Sequence, residues 1–247
     1  METEAYKQLR RVEATHWWYR TSRAQVARLI GRFGRLPTGS VRILDAGCGT
    51  GGTTAWLRRY GAVIGVDPHP VALRATRERG IPVVCASVEA LPFRSGAFDI
   101  VTSFDVLYHA NVASPRDSAC EMRRVTGHGG RLVVRVPAMA VLDGPHDRFV
   151  HGARRFALAG FREQLSLAGW RVGWAGYVNV LLFLPALVTR WVLPASGTGD
   201  LERASRLAPL LFAAGWLESR LIGRLRLPFG TSILAIFQNP TGSGNPE

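Results

Sequence analysis

Ile43-Leu44-Asp45-Ala46-Gly47-Cys48-Gly49-Thr50-Gly51-Gly52-Thr53-Thr54 carries the reading of this chain. Apolar residues enter it as a strand, glycines turn it sharply, and a helical pattern follows. A glycine-rich strand-to-helix turn lets a ligand approach the backbone closely, because no Cβ stands in the way. Asp67 closes the next predicted strand, about twenty residues on, where a carboxylate commonly holds ribose hydroxyls. Gly47, Gly49 and Gly52 satisfy the dinucleotide pattern G-x-G-x-x-G, so the glycines alone do not choose a cofactor.

Outward from this turn, strands and helices alternate. Strands are predicted over 41–45, 62–66, 81–86, 98–103, 131–136, 170–179 and 231–238. Helices are predicted over 53–60, 70–79, 115–125 and 157–168, with Gly127-His128-Gly129-Gly130 as a turn after the third of these. Residues 5–33 read as helix, broken near His16-Trp17-Trp18-Tyr19, and 37–40 as a turn. Such alternation argues for a doubly wound, Rossmann-like α/β sheet, mostly parallel, with helices on both faces. The ligand then sits outside the carboxyl ends of the strands, at the topological switch point. We divide the chain into an N-terminal helical cap (1–36), a main domain (37–240) and a disordered tail (241–247).

The chain has 247 residues and is 47% hydrophobic, enough for one sizeable domain with an elaboration. Its three cysteines, Cys48, Cys85 and Cys120, form no C-x-x-C pair. That suits reduced thiols in a cytoplasmic compartment and no zinc site. Residues 1–30 are charged throughout and show no signal peptide. The formal net charge is +13, yet Lys7 is the only lysine and the arginines are dispersed in pairs such as Arg10-Arg11 and Arg154-Arg155. Dispersed charge is a poor nucleic-acid footprint, so no nucleic-acid partner is expected.

Residues 180–228 form an unusual block before the last strand. Val172–Thr189 carries no charge, but its first part serves as a strand and Pro185 interrupts the rest, so it is too short to span a membrane. Leu207, Leu210, Leu211, Ala214, Leu217, Leu221 and Leu225 follow at helical spacing, with Arg203, Arg206, Arg220 and Arg224 largely off that stripe. Three readings stay open for this hydrophobic helical insertion: a lid over the substrate, a peripheral contact with the inner face of a membrane, or an ordinary packing helix.

Several segments together resemble the class I S-adenosylmethionine (SAM) methyltransferases, bacterial small-molecule type. Asp45 two residues before the first glycine matches their first motif, where nicotinamide-binding turns usually have an apolar residue. Ala86–Phe93, containing Leu91-Pro92-Phe93, resembles the loop after the third strand. Phe98-Asp99-Ile100-Val101 resembles the fourth strand, Val106-Leu107-Tyr108-His109 the segment after it, and Gly129-Gly130-Arg131-Leu132 the entry to the fifth. The resemblance implies seven strands, the last antiparallel, and SAM as cofactor, with S-adenosylhomocysteine as its product. The Gly47-Cys48-Gly49 backbone would pass beside the aminoacyl part of SAM. Asp45 would orient the loop or meet the amino group through water. Asp67 would accept from both ribose hydroxyls, Pro68 would pack near the adenine, and Val88 would read it. Ser87 stands where this group often has an Asp. Phe104 would flank the methionine part, and Asp99 is structural. His16–Arg20, with Trp18, would fold over the cofactor or only pack its helix onto the sheet.

Methyl transfer from a sulfonium is an in-line displacement that chiefly needs positioning; a hydroxyl or carbon acceptor also needs a proton removed. The candidate bases are His109 and the cluster His146-Asp147-x-x-x-His151, in which Asp147 orients a histidine or the group lines the acceptor pocket. Their spacing gives no full metal ligand set, so no metal is expected. Tyr108 lies in the acceptor segment, and Arg155 is placed to bind an anionic acceptor group. The apolar 180–228 block points to a hydrophobic small-molecule acceptor methylated on oxygen or carbon. The rival readings are an RNA or protein methyltransferase, a repurposed fold acting as cyclase or binding module, and a nicotinamide-dependent reductase.

Overall fold

Successive side chains along a strand point to opposite faces, and here both faces are apolar. Leu44 and Ala46 of β1 (Arg42–Ala46) join one core and Ile43 the other. The same division separates Val101 from Ile100 in β4 (Phe98–Phe104). It also separates Leu132 and Val134 from Val133 in β5 (Thr126–Pro137). Strands buried on both faces need helices on each side. α2 (Trp17–Phe33) and α3 (Gly52–Leu57) cover one face through Val26, Leu29, Ile30 and Leu57. α5 (Pro115–Val125) and α6 (Leu158–Leu167) cover the other through Met122, Val125, Phe161 and Leu165.

The computed structural model describes residues 3–33, 40–144, 147, 151–183 and 199–240. His146, most of the 37–40 turn, residues 184–198 of the insertion and the 241–247 tail lie outside them. The sheet has seven strands in the order β3-β2-β1-β4-β5-β7-β6. β2 (Ala62–Asp67) and β3 (Val83–Cys85) flank β1 on one side, joined by α4 (Pro70–Arg77). β7 (Ser232–Gln238) runs antiparallel to both β5 and β6 (Arg171–Val178). The chain winds outward in both directions from the β1–β4 pair, so the switch point lies at their carboxyl ends.

The N-terminal helix is two helices, α1 (Thr3–Val12) and α2, and the break falls where expected. His16 stops the chain between them, its Nδ1 accepting from the Trp18 N–H at 3.3 Å. The glycine run 127–130 differs from expectation: it belongs to β5. Gly129 N–H donates to Asn239 O and Asn239 N–H to Gly130 O, each at 2.9 Å. The pairing with β4 slips in register there, an irregularity that small residues accommodate. Asp99, at the opposite edge from the switch point, receives a forked pair of bonds from the Arg42 guanidinium. Within the insertion, α7 (Gly199–Ser219) packs on α2. Among the described residues no helix is long and apolar enough to cross a membrane.

Candidate functional site

β1 ends in a turn that only glycine can make. Gly47, Gly49 and Gly51 have φ of +88°, +53° and +83°, and a Cβ on Gly47 would lie 2.2 Å from Val106 Cγ2. The Gly47 and Cys48 N–H groups both donate to Val66 O, tying the turn to β2. Asp45 is 2% exposed. Its oxygens accept from Thr54 Oγ1 of α3 at 2.6 Å and from Thr102 Oγ1 of β4 at 2.8 Å. Burial pushes this carboxyl up to about 6, against the lowering effect of the two hydroxyls. The Cys48 side chain turns inward, toward Gly65 and Thr76, and burial raises its thiol. Only its backbone faces the turn's outer side.

Asp67 closes β2 beside this turn, also buried. One oxygen accepts from the Gly49 N–H at 3.0 Å and the other from the His69 N–H at 2.9 Å. Burial still raises its carboxyl. Tyr6 of α1 hydrogen-bonds the same carboxylate, and its ring lies 4.5 Å from the His69 imidazole. α1 is laid across the turn at two further points. Leu9 is the nearest group to the open side of Gly49, and Glu13 accepts from the Gly52 N–H at 3.0 Å while pairing with Arg79. Pro68 is exposed beside Asp67, and Val88 is buried nearby in sequence to Ser87. Ser87 Oγ accepts from the Glu89 N–H at 3.1 Å, so it closes its own turn. Leu91 and Phe93 pack into the core, and Arg124 donates to both their carbonyls.

The second half of the site stands at the carboxyl ends of β4 and β5. Arg135 is a buried cation within the apolar run Leu132–Val136 of β5, and its Nε donates to both oxygens of Asp105 at 3.1 Å. Asp105 sits at φ +56°, rare for a residue with a Cβ and common where function holds the backbone. The Arg135 guanidinium carbon lies 5.7 Å from the Trp18 ring and 5.9 Å from Phe104. Burial and the neighbouring Asp105 raise the Tyr19 and Tyr108 phenols.

Beyond Tyr108, the structure brings together four of the predicted residues. The His109 and His151 rings stack, with centroids 5.9 Å apart and planes 9° from parallel. Arg155 donates to both oxygens of buried Asp147 at 2.8 and 3.0 Å. Asp147 and Arg155, both expected near the acceptor, thus form an ion pair with each other. His109 Nδ1 accepts from the Asn111 N–H at 3.2 Å, which leaves the proton of the neutral ring on Nε2. Burial lowers the ring's pKa to about 4, so it is neutral at pH 7.

Tyr6, Glu13, Asp105 and Arg135 escape a reading of the sequence by motif. Arg135 left one signal, a lone charge within Leu132-Val133-Val134-Arg135-Val136. A buried arginine requires a carboxylate partner, but nothing local says which one.

A family model described as a methyltransferase domain matches residues 44–134. The chain is similar to malonyl-[acyl-carrier protein] O-methyltransferase of Herminiimonas arsenicoxydans, at 37% identity over 94 residues, 37% of this chain and 35% of that one. It is also similar to demethylmenaquinone methyltransferase of Mycobacterium sp. (strain KMS), at 32% identity over 177 residues, 60% of this chain and 75% of that one. This chain belongs to the class I SAM-dependent methyltransferase family. Among solved structures, the [4+2]-cyclase SpnF superposes with a TM-score of 0.60 at 22% identity, over 89% of this chain and 81% of that one. At that identity it shows the fold alone. The chain spans about a third to just over half the length of the first curated relatives it matches.

The residues present fit the methyltransferase family's cofactor. Val106 fills the space a Cβ on Gly47 would need, so the turn must stay tight there, while at Gly49 the nearest group is Leu9 at 3.7 Å, which leaves the backbone open to a ligand. Thr50 Oγ1 within the turn and Ser103 Oγ at the end of β4 are buried without a hydrogen-bond partner among the described residues. The Asp67 carboxylate stands at the end of β2 beside the turn, held there by the Gly49 and His69 N–H groups, where it can receive hydroxyl donors.

Proposed function

We propose that this chain methylates an oxygen or carbon atom of a small, largely apolar molecule at the carboxyl edge of the sheet. The observation that carries the reading is the glycine turn at the switch point with Asp67 beside it at the end of β2. The Gly47–Gly51 backbone and Asp67 would hold SAM, with Pro68 and Val88 beside its adenine. Asp45 acts through Thr54 and Thr102, fixing the turn's angle. When bound, SAM supplies a methyl group on a sulfonium, already activated for displacement.

The protein's remaining task is to align the acceptor and keep water out. Trp18, Tyr19, Phe104 and Tyr108 supply aromatic surface for an apolar acceptor. A relative named for demethylmenaquinone supports an acceptor of that character. His109, stacked on His151 and neutral at pH 7, would line the acceptor pocket and hydrogen-bond an acceptor oxygen. The Asp147–Arg155 pair braces the loop that carries His151. A relative named tRNA U34 carboxymethyltransferase, 35% identical over 43% of this chain, keeps RNA as the second reading.

Calorimetric titration with SAM, S-adenosylhomocysteine and NADPH tests the cofactor site. Both adenosyl ligands should bind and NADPH should not. Asp67→Asn, which keeps an acceptor for one backbone N–H, should bind SAM about ten- to a hundredfold more weakly. Binding of NADPH alone would overturn the reading. An acceptor screen of quinols, polyketide phenols and unmodified tRNA then separates the two substrate classes, and methylation of tRNA alone would refute the small-molecule reading.

A further inference from the structure

The outward face of α7 and the turn after it is apolar and basic where a solvated helix would be polar. Leu210, Leu217 and Leu225 are 67%, 59% and 52% exposed, and Trp216 and Leu221 are exposed beside them. Single exposed leucines are ordinary, whereas a contiguous set on one helix face marks an interaction surface. Arg220, Arg224 and Arg226 are exposed among them, and the Arg220 guanidinium lies 4.0 Å over the Trp216 ring. The inward side includes Gly215, Glu218 and the Phe212 ring, which lies under Arg20 of α2. Gly215 abuts Thr21 of α2, and Glu218 is buried, accepting from the Asn179 N–H. Glu218 is the only acid between 208 and 228, and it points away from the surface.

We propose that this face docks the protein on an anionic phospholipid membrane, lying in the interface with its leucines and Trp216 among the acyl chains. Arginines interleaved with leucine and tryptophan suit that setting: the apolar groups enter the acyl boundary and the guanidinium groups meet headgroup phosphates. The same pattern argues against a second copy of this chain. A two-fold contact would bring like arginines against each other, with no exposed acid between 208 and 228 to offset them. α7 packs on α2, whose first turn carries Trp18 and Tyr19. Docking therefore sets the proposed acceptor pocket close to the source of lipid-soluble acceptors. The inference itself does not depend on methyl transfer.

The test is cosedimentation of the full chain with sucrose-loaded vesicles. One set is phosphatidylcholine alone, and the other contains about a third phosphatidylglycerol. The protein should partition onto the anionic vesicles at least tenfold more strongly, and salt should weaken the binding. Leu217→Ser/Leu221→Ser and Arg220→Gln/Arg224→Gln should each lower binding about tenfold. All four side chains are exposed, so circular dichroism and melting should match the wild type; if the leucine variant fails to fold, the arginine variant carries the test. Equal binding to both vesicle sets, binding that neither variant alters, or no binding would overturn the proposal. So would a concentration-dependent dimer in sedimentation velocity that the leucine substitutions abolish.

Discussion

Asp45→Asn should remove a pH dependence from the stability of the fold. The Asp45 carboxyl is buried between β1, α3 and β4, with Thr54 and Thr102 as its hydrogen-bond donors. Burial raises it from 3.8 to about 6, and a rise of that size corresponds to about 3 kcal/mol of differential stability. The sign follows from proton linkage: the folded state holds this proton more tightly than the unfolded chain. The contribution is fully present below about pH 4 and is lost as pH rises through about 6. Asparagine has no charge to bury, and its amide can accept from one threonine hydroxyl and donate to the other, which rotates. The stability of the variant relative to wild type should thus rise by about 3 kcal/mol between about pH 4 and pH 8. Urea midpoints of both proteins across that range measure it, and contributions common to both cancel in the difference. A difference that stays flat with pH would show that burial does not hold the carboxyl up. A variant several kcal/mol less stable at every pH would show that both threonines need an ionised acceptor.

Gly47→Ala should destabilise the fold by about 2–4 kcal/mol and abolish SAM binding, because the turn needs positive φ and Val106 occupies the Cβ position. Adding Val106→Ala should recover part of the melting temperature but little of the binding, since the backbone strain remains. Tyr6→Phe frees Asp67 of an internal hydroxyl and should tighten SAM binding by up to about tenfold in calorimetry; weaker binding would mean that Tyr6 contacts the bound cofactor. His109→Ala should lower turnover about ten- to a hundredfold while His109→Gln, which keeps a donor, retains more. Because burial holds the His109 ring neutral down to about pH 4, the wild-type rate should show no inflection from this ring near pH 6.5, the usual histidine value; an inflection that His109→Gln removes would sink this assignment.

Most of the sheet was legible because its signals are local. An apolar run such as Ile43-Leu44 or Leu132-Val133-Val134 is a strand wherever it is found, and Gly47-Cys48-Gly49 turns because of what its backbone allows. β5 was the exception, since Gly127–Gly130 reads as a turn until Asn239 arrives from the far end of the chain to pair with it. The placement of Asp45 and Asp67 beside the glycine turn was legible for the same local reason: each stands at the end of a strand. The acceptor half was not. Asp105 and Arg135 close neighbouring strands thirty positions apart, and only the β4–β5 register makes them partners. The Asp147–Arg155 pair was not legible either, since only the loop's return along Tyr108 brings the two together.

By itself, the sequence determined the order of strands and helices, the turn that only glycine can make, and the two carboxylates that flank it. These depend on backbone sterics and on side-chain period, which act over a few residues. Tertiary structure decided how the charges are paired, which nitrogen of His109 carries the proton, that Tyr6 of α1 reaches Asp67, and that the leucines of α7 face outward. A helix's apolar stripe is visible in sequence, but the side of the molecule it faces depends on what else fills the groove. Here α2 meets α7 with Thr21 against Gly215, so at that contact there is no room for a side chain.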